Sequence, residues 1–203
     1  MQGPARIARI AAEEGVGRVV HISAIGASET SPARYHQTKA QGEAAVKSAF
    51  PSATIMRPSL VFGPEDDFFN KFAWIARLSP VLPLIGGGKT RFQPVFVGDV
   101  AKAIAKAVTD PACAGKTYDL PGGETLSYRA MVGRIFDGLG MRRIIVPVPD
   151  VAWRLALPLA VRVMPGLSAT MAQRMAKNMT FDSAPAAVDF NYAPRPFRPQ
   201  FPR

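Results

Sequence analysis

Hydrophobic positions in the first part of the chain alternate between a helical and a strand pattern. Ile7, Ile10 and Ala11 stand at helical spacing within residues 4–15, which predicts a helix that ends at the glycine. Residues 18–23 follow as a short β-branched run, which predicts a buried strand. A helix that leads at once into a strand is half of a repeating unit, so the pattern indicates an α/β fold that the chain enters in its middle.

The next residues repeat this order. Ser31 and Pro32 predict an N-cap and a first-turn proline for a helix that extends to about Phe50. Residues 53–57 then form a second buried strand, with the short connections typical of parallel sheets. Two successive helix-to-strand steps predict an incomplete doubly wound parallel sheet, Rossmann-like in type.

The later pattern is less regular and predicts a small, mainly helical carboxyl-terminal subdomain. We expect a Rossmann-like dinucleotide-binding half over residues 1–125, a substrate or partner subdomain over 126–190 and a proline-rich basic tail over 191–203. The predicted elements are a helix at 68–77, a glycine turn at 86–88, a helix at 100–109 capped by Asp99, a strand at 117–120, a helix from Ser127 to about 139, a strand at 143–148 and apolar helix from 150 onward.

Composition limits the class of protein. The 203 residues are 48% hydrophobic, which indicates a folded domain with a core. Lys and Arg number 25 against 15 Asp and Glu, so the net charge of +10 favours anionic partners such as dinucleotide phosphates, anionic lipid or an acidic protein face. The basic residues form no nucleic-acid-binding module, and we predict no nucleic-acid partner.

The cysteine content, the first residues and the longest apolar stretch predict the cellular compartment of the protein. Cys113 is the single cysteine, which excludes an intrachain disulfide and fits a reducing environment. The first residues do not resemble a secretory signal. Residues 144–167 are the most apolar stretch, but charges and prolines interrupt them before they reach the roughly 20 apolar residues of a membrane span. We expect a cytoplasmic protein, with a peripheral position on the inner membrane as the alternative.

Three residues carry the candidate chemistry: Ser23, Tyr35 and Lys39. Residues four apart share a helix face, so the Tyr35 phenol and the Lys39 ammonium project together, while Ser23 ends the preceding strand at the ligand-binding edge of a parallel sheet. A phenol with an ordinary pKa of about 10 is a poor base, and a nearby ammonium favours its phenolate form. Tyr35 is therefore predicted to exchange a proton with a substrate oxygen that Ser23 holds.

This constellation resembles the Ser, Tyr, Lys site of the short-chain dehydrogenase/reductase superfamily, with its Y-x-x-x-K spacing. The likeness extends to an atypical subgroup, related to NAD-dependent epimerases and dehydratases, that contains the nucleotide-binding accessory subunit of respiratory complex I and its bacterial relatives. It is carried by GVGRVVHISA at 15–24, KAQGE at 39–43, RPSLVFGPED at 57–66 and QPVFVGDVA at 93–101.

The resemblance implies an NAD or NADP cofactor and further residues that contact it. It places Tyr35 and Lys39 on the nicotinamide ribose, and Pro58, Ser59 and Val61 beside the nicotinamide. An ordinary strand-ending turn is the alternative for residues 58–61.

Arg91 matches a position that often holds an anionic substrate group, with an exposed salt bridge as the alternative. The chain has no G-x-x-G-x-x-G turn near its start, so the resemblance implies that the amino-terminal third of the fold, with the adenine half of the cofactor site, is missing.

Other polar residues are assigned structural roles. His21 is expected to be a satisfied histidine beside the sheet, and Glu43, four residues after Lys39, is predicted to pair with that lysine and so weaken its effect on Tyr35. No group of carboxylates surrounds His21 or His36, the two histidines of the sequence, so we predict no metal.

Three hypotheses for function remain open at this stage. The first is an NAD(P)-binding, reductase-like protein similar to the complex I accessory subunit, with a structural role beside respiratory-chain or membrane-surface proteins. The second is an active NAD(P)-dependent oxidoreductase or epimerase on a small or sugar-like substrate. The third is a truncated, non-enzymatic interaction module, which would associate with itself or a partner through a bared sheet edge.

Overall fold

Helices and strands alternate along the chain, as the hydrophobic pattern predicts. The computed structural model describes residues 2–149, 152, 178–199 and 201. The helices in this part are α1 (Gln2–Glu13), α2 (Arg34–Ala49), α3 (Asp67–Leu78), α4 (Val97–Thr109), α5 (Tyr128–Gly138) and α6 (Ala184–Phe190). The strands are β1 (Val20–Ile22), β2 (Thr54–Pro58), β3 (Val61–Phe62), β4 (Val81–Ile85), β5 (Arg91–Phe92), β6 (Val95–Phe96), β7 (Thr117–Leu120), β8 (Leu126–Ser127) and β9 (Ile144–Val148).

A three-stranded parallel sheet in the order β1-β2-β7 forms the centre of the fold. Alternate side chains of β2 enter two different cores: Ile55 packs against α1 and α2, whereas Met56 packs against α4 and α6. Helices therefore cover both faces of the sheet, which confirms the prediction of a Rossmann-like, doubly wound arrangement. In the described residues β1 pairs only with β2, so it lies at an edge of the sheet.

The edge position explains why β1 departs from its expected burial. Its pattern predicted a buried strand, but Val20 and His21 are only half-buried and Ile22 is 50% exposed. Helix α1 is present as predicted, but the side of the helix that faces the core is not the side that carries its isoleucines. The small residue Ala8 is buried against α2, while Ile7 remains 68% exposed.

A third, larger core joins α3, α5, β4 and residue 197. Phe197 is fully buried in it and contacts Phe62 and Phe69, with both pairs of ring centroids 4.9 Å apart. The Phe197 amide donates to Glu124 Oε1 at 2.6 Å, and its carbonyl accepts from Arg134. Residues predicted to form a basic tail thus include a core residue.

Two predicted helix caps are wrong. Ala33, not Ser31, is the N-cap of α2; Ser31 Oγ accepts from the Ala33 amide and lies 3.3 Å from His36 Nδ1. Asp99 lies inside α4, whose N-cap is Phe96, and its carboxylate accepts from the backbone amide of Arg195 at 2.9 Å. Ser31 forms a turn that precedes the helix instead of its cap, and the carboxylate of Asp99 is taken by a residue far along the chain.

Most other predicted elements are confirmed. Asp66 Oδ1 accepts from the Phe69 amide at the start of α3, and Ser127 Oγ accepts from Ala130 at the predicted start of α5. The helix predicted from residue 150 onward lies largely outside the described residues. No helix in the described part is both long and apolar enough to cross a bilayer.

Candidate active site at the carboxyl edge of the sheet

Ser23 lies immediately after β1, at the edge of the sheet where the parallel strands end. Its backbone amide donates to the Met56 carbonyl at 2.7 Å, which continues the β1–β2 pairing by one residue. The side chain is 4% exposed, and its hydroxyl has no hydrogen-bond partner in the described part of the protein. A buried hydroxyl without a partner costs folding free energy, so its position calls for a ligand or a functional explanation.

Tyr35 and Lys39 meet on the first turns of α2. The Lys39 ammonium lies 5.8 Å from the centroid of the Tyr35 ring, and both side chains are half-buried. The loop that connects Ser23 to this helix is held at the same edge, because the Ile25 amide donates to the Pro58 carbonyl at 3.0 Å. The structure therefore brings the predicted phenol and ammonium together on the helix that follows the Ser23 strand.

The segment after β2 lies at the same edge. Pro58 ends β2 and is buried, as is Ser59, whose amide donates to the Leu120 carbonyl of β7. Val61 is half-buried and begins β3, which pairs with β6. Strands β1 and β2 run in parallel, so these residues and Ser23 share the carboxyl edge.

Arg91 lies on a different pair of strands. It begins β5, opposite Ser127 of β8, and its side chain is exposed. Its backbone amide donates to Asn178 Oδ1 at 2.9 Å.

Glu43 does not pair with Lys39, which corrects the prediction from their spacing. Its two carboxylate oxygens instead accept from Nε and Nη2 of Arg57 at 2.8 and 2.6 Å. This bidentate pair raises the pKa of Arg57, chiefly through the hydrogen bond to Glu43. Glu43 thus neutralises the Arg57 cation of β2 and not the Lys39 ammonium.

His21 lies below the site, against α2. A Cβ atom at Gly42 would be 4.0 Å from its Nε2, an ordinary van der Waals contact, so the ring packs beside this glycine on the helix. Burial lowers the pKa of His21 below its ordinary 6.5, and the nearby charge of Lys39 lowers it further. Neutral His21 therefore adds no second positive charge beside Lys39 at pH 7.

The Glu43–Arg57 pair is the part of the site that the sequence interpretation missed. A signal for it was present in the spacing of α2, where Tyr35, Lys39, Glu43 and Lys47 recur every fourth residue on one face. An arginine at the end of an otherwise apolar strand was a second signal, since a buried charge requires a partner. No group of three or more potential metal ligands occurs among the described residues.

A parallel, doubly wound sheet with a serine at one strand end and a tyrosine and lysine on the next helix defines the class of short-chain dehydrogenase/reductase folds. Residues 1–157 match the family described as the RmlD substrate binding domain. The match covers most of the chain, and the chain belongs to this family.

Curated relatives point to one subgroup. The chain is 42% identical over 134 residues, 65% of its length, to the mitochondrial NADH dehydrogenase (ubiquinone) 1 alpha subcomplex subunit 9 of Arabidopsis thaliana. It is 41% identical over 151 residues, 72% of its length, to the protein of the same name from Mus musculus. The matched segments are 33% and 38% of those two proteins, so the chain spans less than half of either relative.

A solved structure supports the fold. The dTDP-glucose 4,6-dehydratase DesIV from Streptomyces venezuelae, solved with NAD and TYD bound, matches 97% of this chain and 61% of its own with a TM-score of 0.69. The sequence identity is 22%, so the likeness concerns the fold.

Proposed function

We propose that the chain is an NAD(P)-binding, reductase-like protein that acts as an accessory component of a respiratory NADH dehydrogenase, in a structural role. The observation that carries this proposal is the identity of 41–42% to subunit 9 of the mitochondrial enzyme over about two thirds of the chain. We further propose that its place in the cell is at the inner surface of the membrane that holds that complex.

The residues at the sheet edge fit the nicotinamide ribose half of a dinucleotide. The ribose hydroxyls require hydrogen-bond donors and acceptors, which the Tyr35 phenol and the Lys39 ammonium supply from one helix face. The unpartnered Ser23 hydroxyl fits an oxygen that comes from outside the protein. Pro58, Ser59 and Val61, which follow β2 at the same edge, would border the nicotinamide ring.

The test is dinucleotide binding by matched variants of α2. Lys39→Met removes a charge-assisted hydrogen bond to the ribose and should weaken NADH binding about tenfold or more. Lys47→Met is the control, because Lys47 lies two turns later on the same helix face and donates to Thr117 Oγ1 instead. Titration of NADH fluorescence measures both. Equal affinity in the two variants, or no binding by the unaltered chain, would contradict the cofactor site.

The structural role is tested by assembly. Tagged chain expressed in its native host should copurify with respiratory NADH dehydrogenase subunits, and Tyr35→Phe should leave this association unchanged, since the phenol hydroxyl serves the cofactor site rather than a contact with another subunit. Purification of the chain free of those subunits from solubilised membranes would count against the proposal.

An active oxidoreductase is the second candidate, favoured by the nearness of Lys39 to Tyr35. In that case the cofactor supplies hydride, Ser23 orients a substrate carbonyl or hydroxyl, and Tyr35 exchanges its proton. Tyr35→Phe should then abolish turnover of NADH with carbonyl or sugar-nucleotide substrates, and it should weaken NADH binding less than Lys39→Met does, because it removes one uncharged hydrogen bond to the ribose. Turnover that survives the substitution would refute this role for the phenol.

An interaction module is the third candidate, favoured by the exposed edge of β1. Ile22 is 50% exposed there, and unpaired backbone groups of an edge strand pair readily with another strand. Concentration-dependent association that Ile22→Lys abolishes would support it; a monomer at all concentrations would not.

A further inference from the structure

Residues 178–181 lie against the loop that follows Ser23. Their backbone runs beside β5, with which Met179 forms a parallel bridge. The side chains of Met179 and Phe181 reach the bare α-carbon of Gly26, since a Cβ atom there would lie 3.4 Å from Met179 Cε and 3.4 Å from Phe181 Cζ. We call Met179 and Phe181 the apolar wall.

The backbone of the apolar wall is tied to the residues that follow β2. The Phe181 amide donates to Gln93 Oε1 at 2.7 Å. Two residues after this glutamine, the Val95 amide donates to the Leu60 carbonyl at 2.9 Å, where β6 runs beside the turn that ends β2. Phe181 therefore lies between the Ser23 loop and that turn, at the edge of the sheet that holds the candidate site.

The segment that carries the apolar wall has no charged side chain. Asn178 and Thr180 alternate with the two wall residues and are exposed. Met179 packs part of its side chain against the largest core, whereas the half-buried Phe181 belongs to none of the three cores of the described residues. The Phe181 ring thus offers apolar area that the described cores do not use.

The candidate site gives the same edge a polar end. The Ser23 hydroxyl is buried and has no hydrogen-bond partner in the described part of the protein, so it suits a ligand oxygen. Three residues of chain separate Ser23 from Gly26, and they span at most about 11 Å. A small ligand with an oxygen at one end and an apolar group at the other can reach both the hydroxyl and the apolar wall. Pockets for small molecules commonly combine a few polar groups with an apolar lining in this way.

We propose that the apolar wall is a subsite for the alkyl or aryl group of a carbonyl compound, whose oxygen accepts a hydrogen bond from Ser23. Contact with Met179 and Phe181 removes the apolar group of such a ligand from water. A sugar nucleotide would bring hydroxyl and phosphate groups to this surface, where they lose water without gaining partners. The proposal rests on the proposed function, because the carbonyl would lie beside the nicotinamide, and it names the chemical class of the ligand.

Ligand-detected NMR with acetophenone and UDP-glucose tests the subsite on the full chain, with and without NADH. Acetophenone should bind under both conditions, and at least about tenfold more tightly than UDP-glucose. Phe181→Ala should weaken acetophenone binding about tenfold, and Met179→Gln, which keeps the length of the side chain, about fivefold. Ser23→Ala should weaken it about fivefold through the lost hydrogen bond.

Two half-buried residues near the end of α5 provide matched controls. Phe201 lies beside Gly138, the last residue of that helix, and Met141 follows it by three residues. Phe201→Ala and Met141→Gln remove the same side chains as the wall variants, and should change acetophenone affinity less than twofold. Circular dichroism establishes that each variant is folded, and Met179→Gln carries the test if Phe181→Ala is not.

NADH titration of the wall variants separates this proposal from the dinucleotide site, because their NADH affinity should stay within about twofold of that of the unaltered chain. Absence of acetophenone binding under both conditions, tighter binding of UDP-glucose, or equal acetophenone affinity in the wall variants and their controls would each overturn the proposal. Acetophenone binding that depends on the apolar wall in a chain that binds no NADH would support the subsite and contradict the dinucleotide site alone.

Discussion

The ion pair between Arg57 and Glu43 predicts that replacing Arg57 lowers the free energy of unfolding more than replacing Glu43 does. The Glu43 side chain is 8% exposed and has both oxygens on Arg57, whereas the Arg57 side chain is 27% exposed and has a second anionic neighbour, Asp119, at 3.9 Å. Loss of the cation leaves two partly or fully buried carboxylates without an opposite charge. Loss of Glu43 leaves the cation with Asp119 and with water.

The size of the difference follows from burial. Removing one partner of a buried pair costs about 3–5 kcal/mol of unfolding free energy, and we expect Arg57→Met to lie near the lower end because that side chain is partly exposed. Glu43→Gln keeps one acceptor oxygen and removes no cation, so its cost should be about 1 kcal/mol. Arg57→Met should therefore be destabilising by about 2 kcal/mol more than Glu43→Gln.

Urea unfolding followed by circular dichroism at pH 7 measures both variants. Lys71→Met is the control, since Lys71 pairs with Asp67 on the surface and its loss should cost less than about 1 kcal/mol. The cost of Arg57→Met should also shrink as the pH falls, because burial raises the pKa of the neighbouring Asp119 and loss of the cation removes the charge that opposes this rise. Equal losses in the two pair variants, or a larger loss in Glu43→Gln, would refute this account of the pair.

Three further substitutions test separate parts of the structure. Phe197→Ala empties a fully buried position between two aromatic rings and should lower the unfolding free energy by about 3–5 kcal/mol, measured by urea titration; a loss below about 1 kcal/mol would place this residue outside the core. Ser23→Ala removes a buried hydroxyl that has no partner, so the midpoint of thermal unfolding should stay unchanged or rise, and a clear fall would mean that the hydroxyl is bonded. The lowered pKa means that folded His21 binds fewer protons than unfolded His21, so stability is lost as the pH falls below 6.5. His21→Gln should flatten this dependence below pH 6.5, and an unaltered slope would contradict the lowered pKa.

Local pattern was sufficient for the elements that depend on nearby residues. The strand at 117–120 and the helix that Ser127 begins were predicted because periodicity and capping act over one or two turns. The same is true of the Tyr35 and Lys39 pair, since their spacing on one helix face decides their proximity.

Contacts between distant residues account for what local pattern did not predict. Asp99 was assigned to a cap because no local feature indicates that Arg195, 96 residues later, donates hydrogen bonds to its carboxylate. Glu43 was assigned to Lys39 because a lysine four residues away is the nearest cation in sequence, yet Arg57 offers two parallel hydrogen bonds. Phe197 stands among prolines and arginines, and its burial follows from the hollow between Phe62 and Phe69.

The polar face of α2 joins the residues that are held by distant strands to the residues whose proximity follows from local spacing. Glu43 and Lys47, on the later turns, are held by Arg57 of β2 and Thr117 of β7. Tyr35 and Lys39 continue the same face toward the carboxyl edge of the sheet. A rotation of the helix by one residue, about 100°, would break both anchors and turn the phenol away from the Ser23 strand. Spacing alone assigned Glu43 to Lys39. Its ion pair with Arg57 is instead the contact that fixes the orientation of Tyr35 and Lys39, whose proximity the spacing did predict.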